Sequence, residues 1–152
     1  DVYKRQMTSP EIIKTYETLE ENFQKYVQAY TSLDSNSVDS LLEKLPTHHA
    51  FFGGVYAYAK LTYDQLTSEM ERTEAELKIK FRNQLLTEGK KATVDATSSE
   101  VLASQEFQSV KRAAESAQYK LMLAKNLLNS LDYAKDMLVQ ISANRRHESK
   151  LL

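Results

Sequence analysis

The stretch FQSVKRAAESAQYKLMLAKNLLNSL, residues 107–131, spaces its apolar side chains alternately three and four residues apart. The positions that form this stripe are Phe107, Val110, Ala114, Ala117, Leu121, Ala124, Leu128 and Leu131. Such spacing places the side chains along one face of an α-helix, in the pattern of a coiled-coil seam. The stretch therefore predicts a long amphipathic helix over about 104–147, whose stripe shifts near its end to Met137, Leu138 and Ile141.

Two further stripes of this kind predict two more long helices. The first helix, over about 10–33, begins after a capping Ser9 with Pro10 in its first turn. Its stripe is Ile12, Tyr16, Leu19, Phe23, Tyr26, Tyr30 and Leu33. The second helix, over about 49–88, ends at a C-capping Gly89. Its stripe is Phe52, Tyr56, Ala59, Tyr63, Leu66, Met70, Thr73, Leu77, Phe81 and Leu85.

Shorter elements lie between the long helices. The polar run DSNS at 34–37 predicts a break, and VDSLLEKL at 38–45 predicts a short helix that stops at Pro46. A second short helix is expected within the connector at 90–104. Its candidate caps are Thr93, Ser98 and Ser99.

The composition indicates an all-α protein, since 152 residues include three Gly, two Pro and no Trp. We expect an elongated bundle or helical hairpin of three long helices in a single domain over 7–152. The leader DVYKRQ at 1–6 resembles a translated sequencing adapter, which makes Met7 the expected start. Because an elongated bundle of this size buries little surface, the stripes also predict a homo-oligomer.

The sequence holds no arrangement of residues that is typical of catalysis. It has no Cys, which excludes disulfides and Cys-ligated metals. His48 and His49 are adjacent, so on a helix they diverge by about 100° and cannot form the metal pair of residues four apart. No Glu-x-x-His motif and no Gly-rich phosphate loop occur. We therefore expect a protein without enzymatic activity, cofactor or metal, and a structural or surface role for the histidines.

Two features leave alternatives open at this point. The five tyrosines on or beside the first two stripes suit either packing between helices or stacking against bases. They are Tyr16, Tyr26, Tyr30, Tyr56 and Tyr63. Residues 76–91, ELKIKFRNQLLTEGKK, carry a net charge of +3 in a chain whose total is −1. Their five cations form either a solvated helix face or a binding site for an anionic polymer.

Charge is also uneven along the whole chain. The net charge is −4 over 8–45, −1 over 46–103 and +3 over 104–152. A second basic cluster, Arg145, Arg146 and Lys150, lies near the end of the third long helix. The acidic and basic parts can pair with each other, with neighbouring copies or with a ligand. The longest apolar runs are too short to span a membrane, and we expect a cytoplasmic location.

Three segments carry a family resemblance. They are EAELKIKFRNQL at 74–85 with the basic turn Gly89-Lys90-Lys91, the polar connector DATSSEVLASQEFQSV at 95–110, and DMLVQISANRRHE at 136–148. In this order, over about 60–147, they resemble the UvsY-type recombination mediators of tailed phages. Leu85 and Leu86 stand where that family can show aromatic residues. The first helix and THHAFFGG at 47–54 have no counterpart there.

The resemblance implies a helical protein that forms a ring-like oligomer in the host cytoplasm and binds single-stranded DNA. It would help to load a RecA-like recombinase onto strands covered by single-stranded-DNA-binding protein. The resemblance assigns DNA contacts to Lys80 and Arg82, and assembly to the C-terminal helix. The assembly residues in this chain would be Leu121, Ala124, Leu128, Leu131, Leu138 and Ile141.

The charge pattern and the resemblance together give one leading hypothesis, a non-catalytic mediator that binds single-stranded DNA. Its expected phosphate contacts are Lys78, Lys80, Arg82, Lys90, Lys91, Arg145 and Arg146. The alternative is a structural, adaptor or scaffold coiled coil that binds no nucleic acid, for which the apolar stripes suffice. The sequence leaves open the number of subunits, the partner recombinase and the host.

Overall fold

The computed structural model describes residues 9–33 and 37–151. The predicted leader at 1–6, the start at Met7 and the break at residues 34–36 fall outside these residues. Within them the chain is all-α, as predicted, with five helices and no strand. The helices are α1 (Pro10–Glu17), α2 (Leu19–Thr31), α3 (Val38–Thr87), α4 (Val94–Ala103) and α5 (Gln105–Leu151).

The chain divides into two compact units. Of the described residues, those up to Ala59 and from Lys120 onward form unit 1, and those from Lys60 to Tyr119 form unit 2. The long helices α3 and α5 contribute to both, so each unit has its own apolar interior. None of the helices in the described ranges has the length and apolarity that crossing a membrane requires.

The interior of unit 1 brings the two N-terminal helices onto α3 and α5. Its largest fully buried side chains include Leu19 from α2, Phe52 from α3 and Leu127 from α5. Tyr16 of α1 meets Tyr58 of α3 edge to face, with ring centroids 5.1 Å apart. Burial of large apolar side chains stabilises such an interior by roughly 1.5–3 kcal/mol each.

The first predicted helix is interrupted at Thr18 and forms α1 and α2 instead of one helix over 10–33. The Thr18 hydroxyl donates to the backbone oxygen of Lys14 at 2.9 Å. This back-bonding competes with regular helix geometry. The predicted stripe is nevertheless retained up to Tyr30, because its members are buried or pack against the core of unit 1. Leu33, its last predicted member, is exposed.

The prediction that Pro46 stops a helix is wrong, since α3 runs through it from Val38 to Thr87 over 50 residues. A proline inside a helix costs about 3 kcal/mol, because it removes one backbone hydrogen bond and crowds the preceding turn. Val38 and Leu45 before it and Phe52 after it are all buried in unit 1. Their combined burial outweighs that cost and keeps the helix continuous.

The stripe predicted for the second long helix is confirmed on α3. All ten of its residues, from Phe52 to Leu85, are buried or partly buried. On α5 the predicted stripe drifts. Leu127 and Ala134 are buried, whereas Leu128 is only partly buried and Met137 is exposed. A straight α-helix has 3.6 residues per turn, so its buried face moves about 20° per heptad away from a strict 3.5-residue pattern.

Unit 2 has a smaller interior, formed by Leu77 of α3, Val101 of α4 and Phe107 of α5. Met70, Phe81 and Val110 pack around these three side chains. This interior holds the last turns of α3 against α4. It thereby positions the basic stretch that the sequence singled out.

Candidate nucleic-acid interface

The end of α3 is set by Gly89, as predicted. Its φ of 70° lies in the left-handed region, which glycine adopts without strain. The Gly89 N–H donates to the oxygen of Leu86 at 3.1 Å, and the Lys90 N–H donates to that of Leu85 at 2.9 Å. These two bonds form a Schellman C-cap. Lys90 and Lys91 therefore follow directly on a sharply ended helix.

Helix α4 begins at Val94, with Thr93 as its N-cap. The Thr93 hydroxyl accepts a hydrogen bond from the Ala96 N–H at 3.1 Å, which confirms one of the three predicted caps. Ser98 and Ser99 lie inside α4 instead of capping it. The helix start is thus fixed close to the end of α3 by two short polar motifs.

A cleft of about 420 Å³ lies between the end of α3 and the start of α4. Its lining is Lys78, Ile79, Arg82, Ala92, Thr93, Val94, Thr97 and Ser98. Lys78 and Arg82 stand four residues apart on one face of α3, so both reach the cleft. The N-terminus of α4 adds partial positive charge on the opposite side. The walls of the cleft therefore favour an anion.

The remaining cations of the stretch do not line this cleft. Lys80 lies two residues from Lys78, about 200° around the helix, with its ammonium 6.0 Å from the centre of the Phe81 ring. Lys90 and Lys91 lie beyond the helix end. Of the five predicted phosphate contacts in this stretch, the structure therefore brings two together in the cleft and leaves three outside it.

Two carboxylates compete with a ligand for these cations. Lys78 Nζ lies 2.7 Å from Glu74 Oε1, and Lys90 Nζ lies 2.8 Å from Glu88 Oε2. The hydrogen bond from Lys90 holds the pKa of Glu88 below its usual value, and Glu88 in turn raises the pKa of Lys90. For Arg82, no ion pair with any carboxylate is found in the described ranges. Arg82 is thus the cation at the cleft that is most available to a ligand.

Two exposed apolar side chains in the same cleft were missed by the sequence reasoning. Ile79 is 64% exposed and Val94 is 81% exposed. Two features of the sequence could have indicated this exposure. Ile79 lies outside the apolar stripe of α3, and Val94 directly follows a helix cap. These exposed side chains therefore add an apolar surface to a cleft that also carries two cations.

The second basic cluster belongs to unit 1. Arg145 and Arg146 on α5 line a cleft of about 340 Å³ together with Val38 and Asp39 of α3. The Arg146 Nε–H donates to the backbone oxygen of Ser142 at 3.4 Å. Asp39 offsets part of the positive charge there. This cluster is therefore a weaker candidate for phosphate contact than the end of α3.

The residues expected to join copies of the chain lie in the interior of unit 1. Ala124, Leu131 and Leu138 are each at most 2% exposed. Leu121, Leu128 and Ile141 are partly buried against the same core. Helices α1 and α2 and the first part of α3 cover this stripe of α5. These residues therefore pack within the chain, and their role in joining copies of it stays a prediction.

The two histidines make contacts within unit 1. His49 Nε2 lies 3.2 Å from Asp132 Oδ1, which links α3 to α5, and the His48 ring packs edge to face on Tyr30 with centroids 4.6 Å apart. His49 and Asp132 also line an apolar cleft of about 570 Å³. No group of three or more possible metal ligands is found among the residues that the structure describes.

Comparison with protein-family models, with curated proteins and with solved structures finds no match for this chain.

Proposed function

We propose that this protein is a non-catalytic recombination mediator that binds single-stranded DNA and helps to load a RecA-like recombinase. It acts as a homo-oligomer in the cytoplasm, on strands that carry single-stranded-DNA-binding protein. The observation that supports DNA binding is the cleft where Lys78 and Arg82 face the start of α4. The role in recombination is supported by the UvsY-type order of segments around that cleft.

A phosphate group suits this cleft for electrostatic reasons. Arg82 supplies a planar fork of donors that matches phosphate oxygens, and Lys78 adds a second charge after it leaves Glu74. The exposed pair Lys78–Glu74 is worth roughly 0.2–1 kcal/mol, so exchange with a phosphate is easy. Lys90 and Lys91 add positive charge just beyond the end of α3, and Lys80 adds it on another side of the helix.

The same cleft explains why binding would not depend on base sequence. Its exposed side chains Ile79 and Val94 offer apolar contact to a sugar or base but no hydrogen-bond code. Contacts to phosphates fix the position of a strand and carry no sequence information. A loading factor requires this behaviour, since it must act on any exposed strand.

Assembly would raise the affinity for single-stranded DNA above the modest affinity of one chain. Each chain offers a few cations, and linking several copies makes each further contact intramolecular. We also propose that the long helices pack as a bundle with coiled-coil-like seams. The spacing of the α3 stripe, whose residues are all buried or partly buried, supports this arrangement.

Fluorescence anisotropy with labelled oligo-dT at low and moderate salt tests the proposal. We expect binding that weakens with salt, with a log–log slope of roughly −0.7 per phosphate neutralised. The double variant Lys78→Ala/Arg82→Ala, which removes both cations that line the cleft, should reduce the size of that slope by about 1.4. The matched control Lys60→Ala/Arg72→Ala removes the same charges from the same helix, outside the cleft, and should bind nearly as well as the wild type.

Two outcomes would contradict DNA binding at this site. One is the absence of binding at low salt. The other is an equal loss of affinity in the double variant and in its control, because that result would reflect total charge alone. Either would favour the second candidate, a structural, adaptor or scaffold coiled coil. The observation that favours this candidate is the pairing of Lys78 and Lys90 with carboxylates. Light scattering would then show oligomers whose mass does not change when oligonucleotide is added.

A further inference from the structure

Within unit 1, α5 has a second face that the core does not use. At about 100° per residue, Ala124, Leu127, Leu131, Ala134 and Leu138 occupy one arc of about 80° and are buried. Another arc of similar width lies about 140° away and is exposed. It consists of Met122, Asn126, Asn129, Tyr133 and Met137, here called the outer face.

The composition of the outer face is unlike that of a solvated helix surface. It contains no charged residue, although 27% of the chain is charged. Met122 is 51%, Tyr133 74% and Met137 48% exposed. Tyr and Met are enriched and charged residues are depleted in the centres of protein interfaces. The outer face therefore has the composition of a contact surface for another protein.

We propose that the outer face binds the same face of a second copy of this chain, with the two α5 helices antiparallel. A twofold axis between Asn129 and Ser130 sets Met122 of each copy against Met137 of the other. It also sets Asn126 against Tyr133. These four residues then face one another, the Asn129 side chains of the two copies lie beside the axis, and the contact is closed and self-complementary.

The charges beside the outer face select this orientation. Lys125 flanks it on one side, on the same side as Asp132 and Asp136, and all three are exposed. Helices packed antiparallel about a twofold axis bring like flanks together. Lys125 then lies opposite position 134 of the other copy, about 3 Å along the axis from each aspartate.

A parallel pair would lose this match. It would bring the flank of Lys125 against the opposite flank, where Leu123, Ser130 and Ile141 lie. No residue in the described ranges forms an ion pair with Lys125 in the single chain. Asp136 forms an ion pair with the neighbouring Lys135, at 3.9 Å and exposed to water. The antiparallel dimer thus supplies a partner that one copy lacks.

This inference rests on the proposed function in that it supplies one pairwise contact of the homo-oligomer named there, and its test needs no DNA. Because the chain has no cysteine, single cysteines report contacts without background. The proteins Met122→Cys and Met137→Cys are oxidised separately and as a mixture. A disulfide requires Cα atoms within about 7 Å, and identical positions in the antiparallel pair lie about 22 Å apart along the axis.

The expected result is a cross-linked dimer in the mixture and little in either protein alone. Self-cross-linking of each protein would indicate a parallel pair and overturn the proposal, as would the absence of cross-links in all three samples. Lys135→Cys is the control, since Lys135 is exposed on α5 but lies on the other side from the outer face. It should cross-link in no sample.

A charge exchange tests the orientation at equilibrium. Lys125→Glu should raise the dissociation constant of the dimer severalfold in sedimentation, and Lys125→Glu/Asp136→Lys should restore it. No change in the single variant, or no recovery in the double variant, would argue against the antiparallel contact. Oligo-dT binding at low salt by a monomeric variant keeps the two proposals separate, because the DNA cleft lies in unit 2 and uses no residue of the outer face.

Discussion

Lys78 Nζ lies 2.7 Å from Glu74 Oε1, one helical turn earlier on α3, while the next cation on the same face, Arg82, lines the cleft with it. The carboxylate therefore occupies a cation that a phosphate would need. Both members of the pair are more than a third exposed, so water and salt weaken the interaction. Glu74 therefore competes only weakly with a phosphate for Lys78.

Replacing this carboxylate should strengthen DNA binding. Glu74→Gln releases Lys78 and removes one negative charge, and we expect oligo-dT affinity to rise by no more than about fivefold, since exposed pairs are worth roughly 0.2–1 kcal/mol. Fluorescence anisotropy at low salt measures the change. Glu115→Gln is the matched control, because it frees Lys111 in the same unit away from the cleft. An equal rise in both variants would show that only total charge matters.

The pair of Glu88 and Lys90 should make binding depend on pH. The hydrogen bond from Lys90 lowers the pKa of Glu88, so the stability that this carboxylate contributes is present above its ordinary pKa and is lost as pH falls through the lowered value. Glu88 raises the pKa of Lys90. The stability that the Lys90 ammonium contributes is therefore lost only as pH rises through that raised pKa. Between these limits the pair stays intact.

Acidification should therefore free Lys90 for phosphate. We expect oligo-dT affinity to rise as pH falls through the pKa of Glu88, because the uncharged carboxyl no longer holds the ammonium. Glu88→Gln should bind at neutral pH as the wild type does in acid, and should lose this part of the pH dependence. An unchanged pH profile in Glu88→Gln, measured by anisotropy from pH 7 downward, would contradict this account.

The adjacent glycines of α3 should respond differently to alanine. A Cβ at Gly53 meets no atom within 4 Å, whereas a Cβ at Gly54 would lie 2.7 Å from Cδ1 of the buried Ile12. Gly53→Ala should stabilise the protein by roughly 0.5–1 kcal/mol through helix propensity. In Gly54→Ala the same gain is opposed by an overpacking cost of about 1–3 kcal/mol.

Thermal unfolding followed by circular dichroism compares the two variants. Gly54→Ala should melt below Gly53→Ala, and Ile12→Val should reduce the difference because it removes the crowded methyl group. Equal melting temperatures would mean that α1 does not approach α3 at this point.

The neighbouring leucines on α5 separate the observed buried face from the predicted one. Leu127 is fully buried and Leu128 only partly so. Leu127→Ala should cost roughly 2–5 kcal/mol of unfolding free energy, and Leu128→Ala clearly less. Urea unfolding measures both. A larger loss for Leu128→Ala would restore the stripe predicted from the heptad pattern.

Much of the local structure was predictable, because its causes are local. The stripe of α3 from Phe52 to Leu85, the cap at Gly89 and the helix after Thr93 all follow from spacing or from one residue's conformational preference. The cations of 76–91 were also visible. Their division between a cleft and its surroundings was not, because it depends on where α4 packs against α3.

The misses share a physical cause. Pro46 was expected to end a helix because a proline within a helix is costly. Leu128 was expected to be buried because the heptad spacing places it on the apolar stripe. In the structure, Val38, Leu45 and Phe52 are buried on either side of the proline, and neighbours distant in sequence select Leu127. The packing of α1 and α2 against the stripe of α5 could not be read from the sequence for the same reason.

The sequence by itself determined that the chain is helical, where its long apolar stripes run and which helix end collects positive charge. These properties depend on spacing, caps and residue type over a few turns. Only the tertiary structure decided which stripe is hidden, which cations share a cleft with the start of α4, and which face of α5 stays uncovered. Those outcomes depend on burial, and the burial of a side chain is set by segments that lie far away along the chain.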